Sequence, residues 1–260
     1  MYKSINIRQY QKVFDNQLAQ LNLCSPIIIG GVGGSGTRLV AQLLQNLGIF
    51  IGISRNNAED AIPFIPVYEQ HINSYLSEKL CEKSFINDLK LAIEQHVDLS
   101  ENIHQWAWKN PRSIYLLPLF EQLFKNMRYI HVIRDGIAMS TSLNQQQLAK
   151  HGDLVIPDDT QNLPEHEKSL LLWSIVNSAA ADFGEQNLGS RYLRIKYEDA
   201  CHSPLAVIQK IAEFLAIPLN YDLTQNNLPQ IQQTLRLKPQ FSEATTIRSA
   251  SSLKRFGYVC

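Results

Sequence analysis

A glycine-rich turn between a strand and a helix constrains this chain more than any other feature. Three isoleucines (27–29) lead into five glycines within positions 30–36, and Thr37, Arg38 and Leu39 follow. Glycines let a backbone wrap closely around a ligand. A turn of this kind leaves backbone N–H groups unpaired at the positive end of the next helix, where they bind phosphate or a similar anion. The anion-binding residues predicted on this basis are Gly33, Gly34, Ser35, Gly36, Thr37 and Arg38.

The turn lacks the lysine of an ATP-binding P-loop. In the pattern GxxxxGK[ST], a lysine follows the last glycine and a serine or threonine comes next. Here Thr37 follows Gly36 and Arg38 comes after it. The anion site is therefore of a different kind from a typical ATP site.

Composition indicates a packed domain with no general affinity for nucleic acid. The chain has 260 residues, of which 45% are hydrophobic, and 24 basic side chains balance 24 acidic ones. This length suits a single domain over residues 1–260, and neutrality gives no reason to expect DNA or RNA as a partner. No apolar stretch of signal-peptide or membrane-spanning length is present, so we expect a cytoplasmic protein. The four cysteines are widely spaced, which favours reduced thiols over disulfides or a metal site.

The periodicity of apolar residues predicts alternating strands and helices. Such alternation is typical of an α/β fold with three layers, α/β/α, around a mostly parallel sheet. We expect an N-terminal helix at about residues 5–22, and a C-terminal tail at about 218–260 that packs on the core. The other predicted helices are 37–47, most of 67–97, 113–125, 135–149, 164–188 and 204–215. The predicted strands are 26–29, 105–109, 128–133 and 191–195, and residues 151–164 are expected to form a polar loop.

Four segments at the ends of the predicted strands carry chemistry. They are the glycine-rich turn, Lys109 with Asn-Pro-Arg after it, Arg134 with Ser142 eight residues later, and Tyr197 with Glu-Asp after it. In parallel sheets, ligands gather at the carboxyl ends of the strands. In this order, across residues 26–215, the segments resemble the PAPS-dependent sulfotransferase family, which has a P-loop nucleotide-binding fold. PAPS is 3′-phosphoadenosine 5′-phosphosulfate.

The resemblance implies a role for each segment. The turn would hold the 5′-phosphosulfate, and Lys109 would contact the sulfuryl group and the bridging oxygen. Arg134 and Ser142 would hold the 3′-phosphate, to which a guanidinium fork is well suited. Tyr197 would contact the adenine. PAPS would be the co-substrate, and we expect no metal to be required.

The chain departs from the family pattern at two positions. Gly34 stands where many members have a lysine or arginine, and Arg38 is a candidate replacement for that charge. Pro111 stands where many members have a histidine as general base. Glu59 is the first candidate for the base and Asp60 the second, because a carboxylate within hydrogen-bond reach can take the acceptor's proton.

The predicted function is transfer of a sulfuryl group to a hydroxyl or amine of a small molecule, a glycan or a peptide. Phe64 and Trp108 give a weak indication of an apolar or peptide-like acceptor. The alternatives are a P-loop kinase acting on a small molecule and a non-catalytic nucleotide-binding protein of the same fold. The basic residues near the C-terminus, Arg248, Lys254 and Arg255, match the family's second phosphate contact only loosely and are expected to be solvated. The sequence does not indicate an oligomeric state.

Overall fold

Four parallel strands form the sheet in a computed structural model, which describes residues 1–97, 103, 105–219 and 239–258. The strands are β1 (Ile27–Gly31), β2 (Ala107–Lys109), β3 (Arg128–Ile133) and β4 (Tyr192–Lys196), in the spatial order β2-β1-β3-β4. Ile29 lies opposite Lys109 on one side and Ile130 on the other. All four carboxyl ends therefore meet at one edge of the sheet, with the turn after β1 in a central position.

Helices cover the two faces of this sheet. The described α-helices are α1 (Gln11–Gln20), α2 (Thr37–Asn46), α3 (Ile65–Leu76), α4 (Glu82–His96), α5 (Leu117–Leu123), α6 (Gly136–Ser140), α7 (Gln146–Val155), α8 (Glu165–Phe183), α9 (Tyr197–His202), α10 (Pro204–Leu215) and α11 (Glu243–Arg255). Short 3-10 turns are found at Arg8–Tyr10, Ile62–Phe64, Pro111–Tyr115, Asp158–Thr160 and Gly189–Arg191, and a π-helical turn at Gly184–Leu188.

The alternation of side chains along β1 divides the buried apolar residues into two cores. Ile28 packs into a large core with residues of α1, α3, α4, α5 and α8. Ile27 and Ile29 point to the opposite face and pack with α2, α9 and α10. Successive strand residues face opposite sides of a sheet, so both faces are covered. The predicted three-layer α/β/α architecture is confirmed, and the described sheet is entirely parallel.

Several predicted boundaries are wrong where tertiary contacts decide them. Most of 67–97 is helical as predicted, in the two helices α3 and α4, but the predicted helix at 135–149 is interrupted between Ser140 and Gln146. Part of the predicted polar loop at 151–164 is helical, because α7 continues to Val155. His151 is buried there, with its Nδ1 2.6 Å from Asn73 Oδ1 of α3. Local periodicity cannot predict this contact, because the two residues are far apart in the chain.

The described part of the C-terminal segment packs against α8. Helix α11 lies against α8, with Leu253 and Phe256 buried. The carboxylate of Glu167 on α8 accepts hydrogen bonds from Ser242 and Thr245 at the start of α11. Residues 220–238 of the predicted tail lie outside the described residues, and the single domain over 1–260 stays a prediction. None of the described helices combines the length and apolar character needed to cross a membrane.

Candidate active site

The glycine-rich turn has the backbone geometry of an anion site. Gly34 and Gly36 have φ angles of +90° and +88°, a region that side chains strongly disfavour. The N–H groups of Gly34 and Gly36 donate to no other described residue. The hydroxyl of Ser35 is buried and has no partner within the described part of the chain. Buried polar groups are normally satisfied, so the unpartnered Ser35 hydroxyl fits a ligand in the turn, which the half-buried N–H groups of Gly34 and Gly36 could also bind.

Arg134, which follows the last residue of β3, reaches the same turn. Its Nη1 donates to the carbonyl oxygen of Gly34 at 3.3 Å. Its guanidinium carbon lies 4.5 Å from the centre of the ring of Tyr197, the first residue of α9. The Tyr197 ring packs directly on Gly36, because a Cβ at Gly36 would lie 2.1 Å from Tyr197 Cδ2. A guanidinium, an aromatic ring and the glycine-rich turn are thus in mutual contact.

Ser142 lies on the other side of Gly34. A Cβ at Gly34 would be 3.7 Å from the Ser142 hydroxyl oxygen, which accepts a hydrogen bond from the N–H of Asn144. The structure therefore brings together the turn, Arg134, Ser142 and Tyr197. Their assignment to a particular ligand stays a prediction.

The backbone around Arg134 is held by three residues that the sequence did not single out as site residues, namely Trp173, Glu198 and Tyr258. Trp173 donates from its indole nitrogen to the carbonyl oxygen of Arg134 at 3.0 Å. The carboxylate of Glu198 accepts from the N–H of Asp135 at 2.9 Å and from the Tyr258 hydroxyl at 2.8 Å. Burial raises the pKa of the Asp135 carboxyl, which caps α6. These contacts join segments far apart in the chain, so local sequence patterns do not predict them.

Lys109, at the end of β2, is buried beside the turn rather than solvated. Its ammonium group donates to Asp60 Oδ1 and to the carbonyl oxygen of Ala58, both at 2.7 Å. Burial lowers the pKa of Lys109, and the Asp60 carboxylate opposes that shift. The charge of Arg38 also lowers the Lys109 pKa, so the two cations are close to each other. Arg38 itself is exposed, and its Nη1 lies 3.4 Å from the Asn57 carbonyl oxygen.

The two candidate bases have different surroundings. The side chain of Glu59 is paired with Arg55, with 2.5 Å between Oε2 and Nη1, and its backbone has a φ of +64°. Asp60 contacts Lys109 through Oδ1, while its Oδ2 lies 3.2 Å from the Asn56 amide nitrogen. Asn56 also accepts from the backbone N–H groups of Ala58 and Asp60 at 2.9 Å. This tight turn places the Asp60 carboxylate beside the Lys109 cation and directs Glu59 to Arg55.

Other candidate groups lie outside this cluster. Arg248, Lys254 and Arg255 are exposed as expected, and two of them form surface ion pairs, Arg248 with Asp159 and Arg255 with Asp182 and Glu185. His131 is a core residue with both ring nitrogens in hydrogen-bond contact, 2.7 Å from the Tyr192 hydroxyl and 2.9 Å from Asn177 Oδ1. Burial lowers its pKa to about 4. Within the described residues, no three histidine, cysteine or carboxylate side chains could together hold a metal ion, and the expectation that none is needed stays a prediction.

Comparison with known proteins agrees with this geometry. The sequence profile of the sulfotransferase family matches residues 51–221, well over half of the chain. The chain belongs to the sulfotransferase family. The matched range contains the segments around Lys109, Arg134 and Tyr197, whereas the glycine-rich turn precedes it. No curated protein sequence matches the chain significantly.

Solved sulfotransferase structures share the fold of this family member. Sulfotransferase STF9 from Mycobacterium avium is 15% identical with a TM-score of 0.59, covering 97% of this chain and 83% of that one. The sulfotransferase domain of the Synechococcus PCC 7002 olefin synthase is 16% identical with a TM-score of 0.56, covering 91% and 97%. The sulfotransferase domain from the curacin biosynthetic pathway is 15% identical with a TM-score of 0.53, covering 91% and 98%. At these identities the similarity shows the fold alone.

Proposed function

We propose that this chain transfers a sulfuryl group from PAPS to a hydroxyl or amine acceptor. The observation that carries the proposal is the contact of the Arg134 guanidinium with both the glycine-rich turn and the Tyr197 ring. A nucleotide with phosphates at two positions needs two anion sites and an aromatic surface next to each other. The family membership supports sulfuryl transfer as the reaction, and this geometry supports PAPS as the donor.

Each residue has a defined task in the proposed reaction. The N–H groups of the turn and the Ser35 hydroxyl hold the 5′ end of the donor, where it carries the sulfuryl group. Arg134 and Ser142 hold the 3′-phosphate, and Tyr197 lies against the adenine. Such positioning accounts for most of the rate enhancement in the related phosphoryl transfers.

The groups that would accept the acceptor's proton and stabilise charge on the leaving phosphate lie on the β2 side of the turn. An acceptor oxygen or nitrogen forms a bond to sulfur, the bond from sulfur to the bridging oxygen breaks, and the acceptor's proton passes to a carboxylate. We assign that proton to Asp60 with Glu59 second, the reverse of the order taken from the sequence, because Asp60 lies beside Lys109. Lys109 stabilises the negative charge that develops on the leaving phosphate, and Arg38 adds charge from the start of α2.

Calorimetry with three nucleotides tests the choice of donor. We expect 3′-phosphoadenosine 5′-phosphate to bind about 30- to 100-fold more tightly than 5′-AMP, because hydrogen bonds to a charged group are worth about 2–3 kcal/mol. ATP with Mg²⁺ should bind no better than 5′-AMP. Tighter binding of ATP with Mg²⁺, or equal binding of the bisphosphate and 5′-AMP, would contradict the proposal and favour a kinase or another nucleotide-binding protein.

A further inference from the structure

A polar cleft opens on the β2 side of the glycine-rich turn. Its volume is about 70 Å³, which is room for several waters or for one polar substituent of a larger molecule. The lining residues that matter here are Gly33, Asn110, Arg112, Asn144, Gln147 and Lys150. Gly33 belongs to the turn itself, and Asn110 is the residue after Lys109. The cleft therefore begins at the proposed reaction centre.

The order of the strands separates the β2 residues of this cleft from Arg134 and Tyr197. Arg134 follows β3 and Tyr197 begins after β4, so both lie on one side of the turn after β1. Asn110 and Arg112 follow β2, on the other side. A donor that extends from the turn towards Tyr197 leaves this cleft open, and the acceptor is the reactant that remains to fill it.

Two cations of the cleft share one carboxylate oxygen. Glu69 Oε1 lies 3.2 Å from Arg112 Nη1 and 2.6 Å from Lys150 Nζ. Hydrogen bonding by Lys150 is the main reason why the pKa of Glu69 is lowered. Two positive charges thus face one negative charge, and the Glu69 and Lys150 side chains are 48% and 46% exposed. Exposed pairs of this kind are weak, so an incoming anion can displace Glu69 from the two cations.

The two aromatic residues that suggested an apolar acceptor are buried and cannot contact an acceptor. Phe64 and Trp108 are fully buried and stacked on each other, with ring centres 4.5 Å apart. The Trp108 indole nitrogen donates to the Tyr68 hydroxyl inside the core. Neither ring lines the cleft, where amide and cationic side chains dominate instead.

We propose that the acceptor is a hydroxylated compound that carries an anionic group, a carboxylate or a sulfate, held by Arg112 and Lys150. This inference rests on the proposed function and deepens it. Glu69 occupies the two cations until the acceptor's anionic group replaces it. The positive charge of the cleft selects the acceptor. The sulfuryl transfer itself takes place at the site described under the proposed function.

Matched acceptor pairs test this selection through the release of 3′-phosphoadenosine 5′-phosphate from PAPS. The pairs are methyl β-D-glucuronide with methyl β-D-glucoside, and 4-hydroxyphenylacetate with its methyl ester. We expect kcat/KM to be about tenfold higher for the anionic member, the equivalent of one charged hydrogen bond of about 1.4 kcal/mol. The preference should weaken as salt screens the charges.

Three variants assign the preference to this cleft. Lys150→Gln should lower the ratio of anionic to neutral kcat/KM by about threefold to tenfold, and Glu69→Gln should raise it by about threefold, since it removes the competing carboxylate. A gain in Glu69→Gln cannot result from misfolding. Lys12→Gln, which changes an exposed lysine on α1, is the control and should leave the ratio unchanged.

Bisphosphate binding separates failure of this inference from failure of the proposed function. If the wild-type protein does not bind 3′-phosphoadenosine 5′-phosphate, the proposed function fails. If the bisphosphate binds, three results would each overturn the anionic acceptor. They are equal use of the two members of a pair, use of neither member, and a preference that neither Lys150→Gln lowers nor Glu69→Gln raises.

Discussion

At the scale of single residues, the two left-handed glycines that flank α2 differ in what surrounds them. Gly36 precedes the helix with a φ of +88° and touches the Tyr197 ring, whereas Gly48 follows it with a φ of +77° and has nothing near its absent Cβ. Gly48 only ends the helix, as the sequence predicted. Gly36 also provides the space that the aromatic ring occupies.

Gly36→Ala should therefore weaken binding of 3′-phosphoadenosine 5′-phosphate by about tenfold or more, since the ring must leave its position over the turn. Gly48→Ala has the same unfavourable φ, which costs about 1 kcal/mol, and should bind the bisphosphate normally. Calorimetry and urea unfolding of both variants measure the two effects. Equal loss of binding in the two variants would refute a role for the contact between Gly36 and Tyr197.

The two neighbouring carboxylates are predicted to differ in their effect on the rate. Asp60→Asn should reduce kcat by about 10²- to 10⁴-fold, the usual contribution of a general base. Glu59→Gln should change kcat only a few-fold, because its carboxylate is held by Arg55. The measurement is bisphosphate release from PAPS with an acceptor that the wild type uses, and thermal unfolding of both variants checks their folding. The opposite ranking would make Glu59 the base, as the sequence first suggested.

The sequence indicated this pair of carboxylates and ranked Glu59 first, but it could not show the surroundings that distinguish them. Their ranking depends on the turn that Asn56 organises and on the buried Lys109, which lies 49 residues after Asp60. By contrast, Arg134 could be predicted, because its place after a strand brings it to the same edge as the turn in any parallel sheet of this order. Positions set by topology could thus be predicted, and contacts set by side-chain packing could not.

At the scale of elements, α11 shows how the end of the chain supports the site. Its buried Leu253 packs in the large core, and Phe256 at its end lies 5.7 Å from the Trp173 ring. Trp173 in turn donates to the Arg134 carbonyl oxygen. Helix α11 was not predicted, because the periodicity of apolar residues weakens after residue 218. The carboxylate that accepts hydrogen bonds at the start of this helix belongs to α8, a distant segment of the chain.

Leu253→Ala should lower the free energy of unfolding by about 3 kcal/mol, because it removes a buried side chain and leaves a cavity. Ile247 lies on the same helix with 68% of its surface exposed. Ile247→Ala should therefore change the free energy of unfolding by less than about 0.5 kcal/mol. Urea unfolding of the two variants measures the difference, and similar values would show that α11 does not pack on α8 in solution.

At the scale of the whole molecule, the strand order β2-β1-β3-β4 assigns the two sides of the turn to different reactants. Arg134 after β3 and Tyr197 after β4 form the proposed donor side. Lys109 at the end of β2 and Arg112 after it lie on the other side, where Lys150 of α7 completes the proposed acceptor cleft. The three-layer fold and the order of the four segments could be predicted from the sequence, because alternation and strand ends are local patterns. The nature of the acceptor cleft could not, since it depends on Arg112, Lys150 and Glu69 from three separate segments.

The most direct test of the account is the gain in affinity that a 3′-phosphate brings, measured by calorimetry as the ratio of Kd for 5′-AMP to Kd for 3′-phosphoadenosine 5′-phosphate. Arg134→Ala is compared with the wild type and with Arg128→Ala, which removes an arginine at the other end of β3, about 20 Å away. We predict a ratio of about 30 to 100 in the wild type and in Arg128→Ala, and a ratio close to unity in Arg134→Ala. An undiminished ratio in Arg134→Ala would contradict the claim that Arg134 and the glycine-rich turn bind one nucleotide between them.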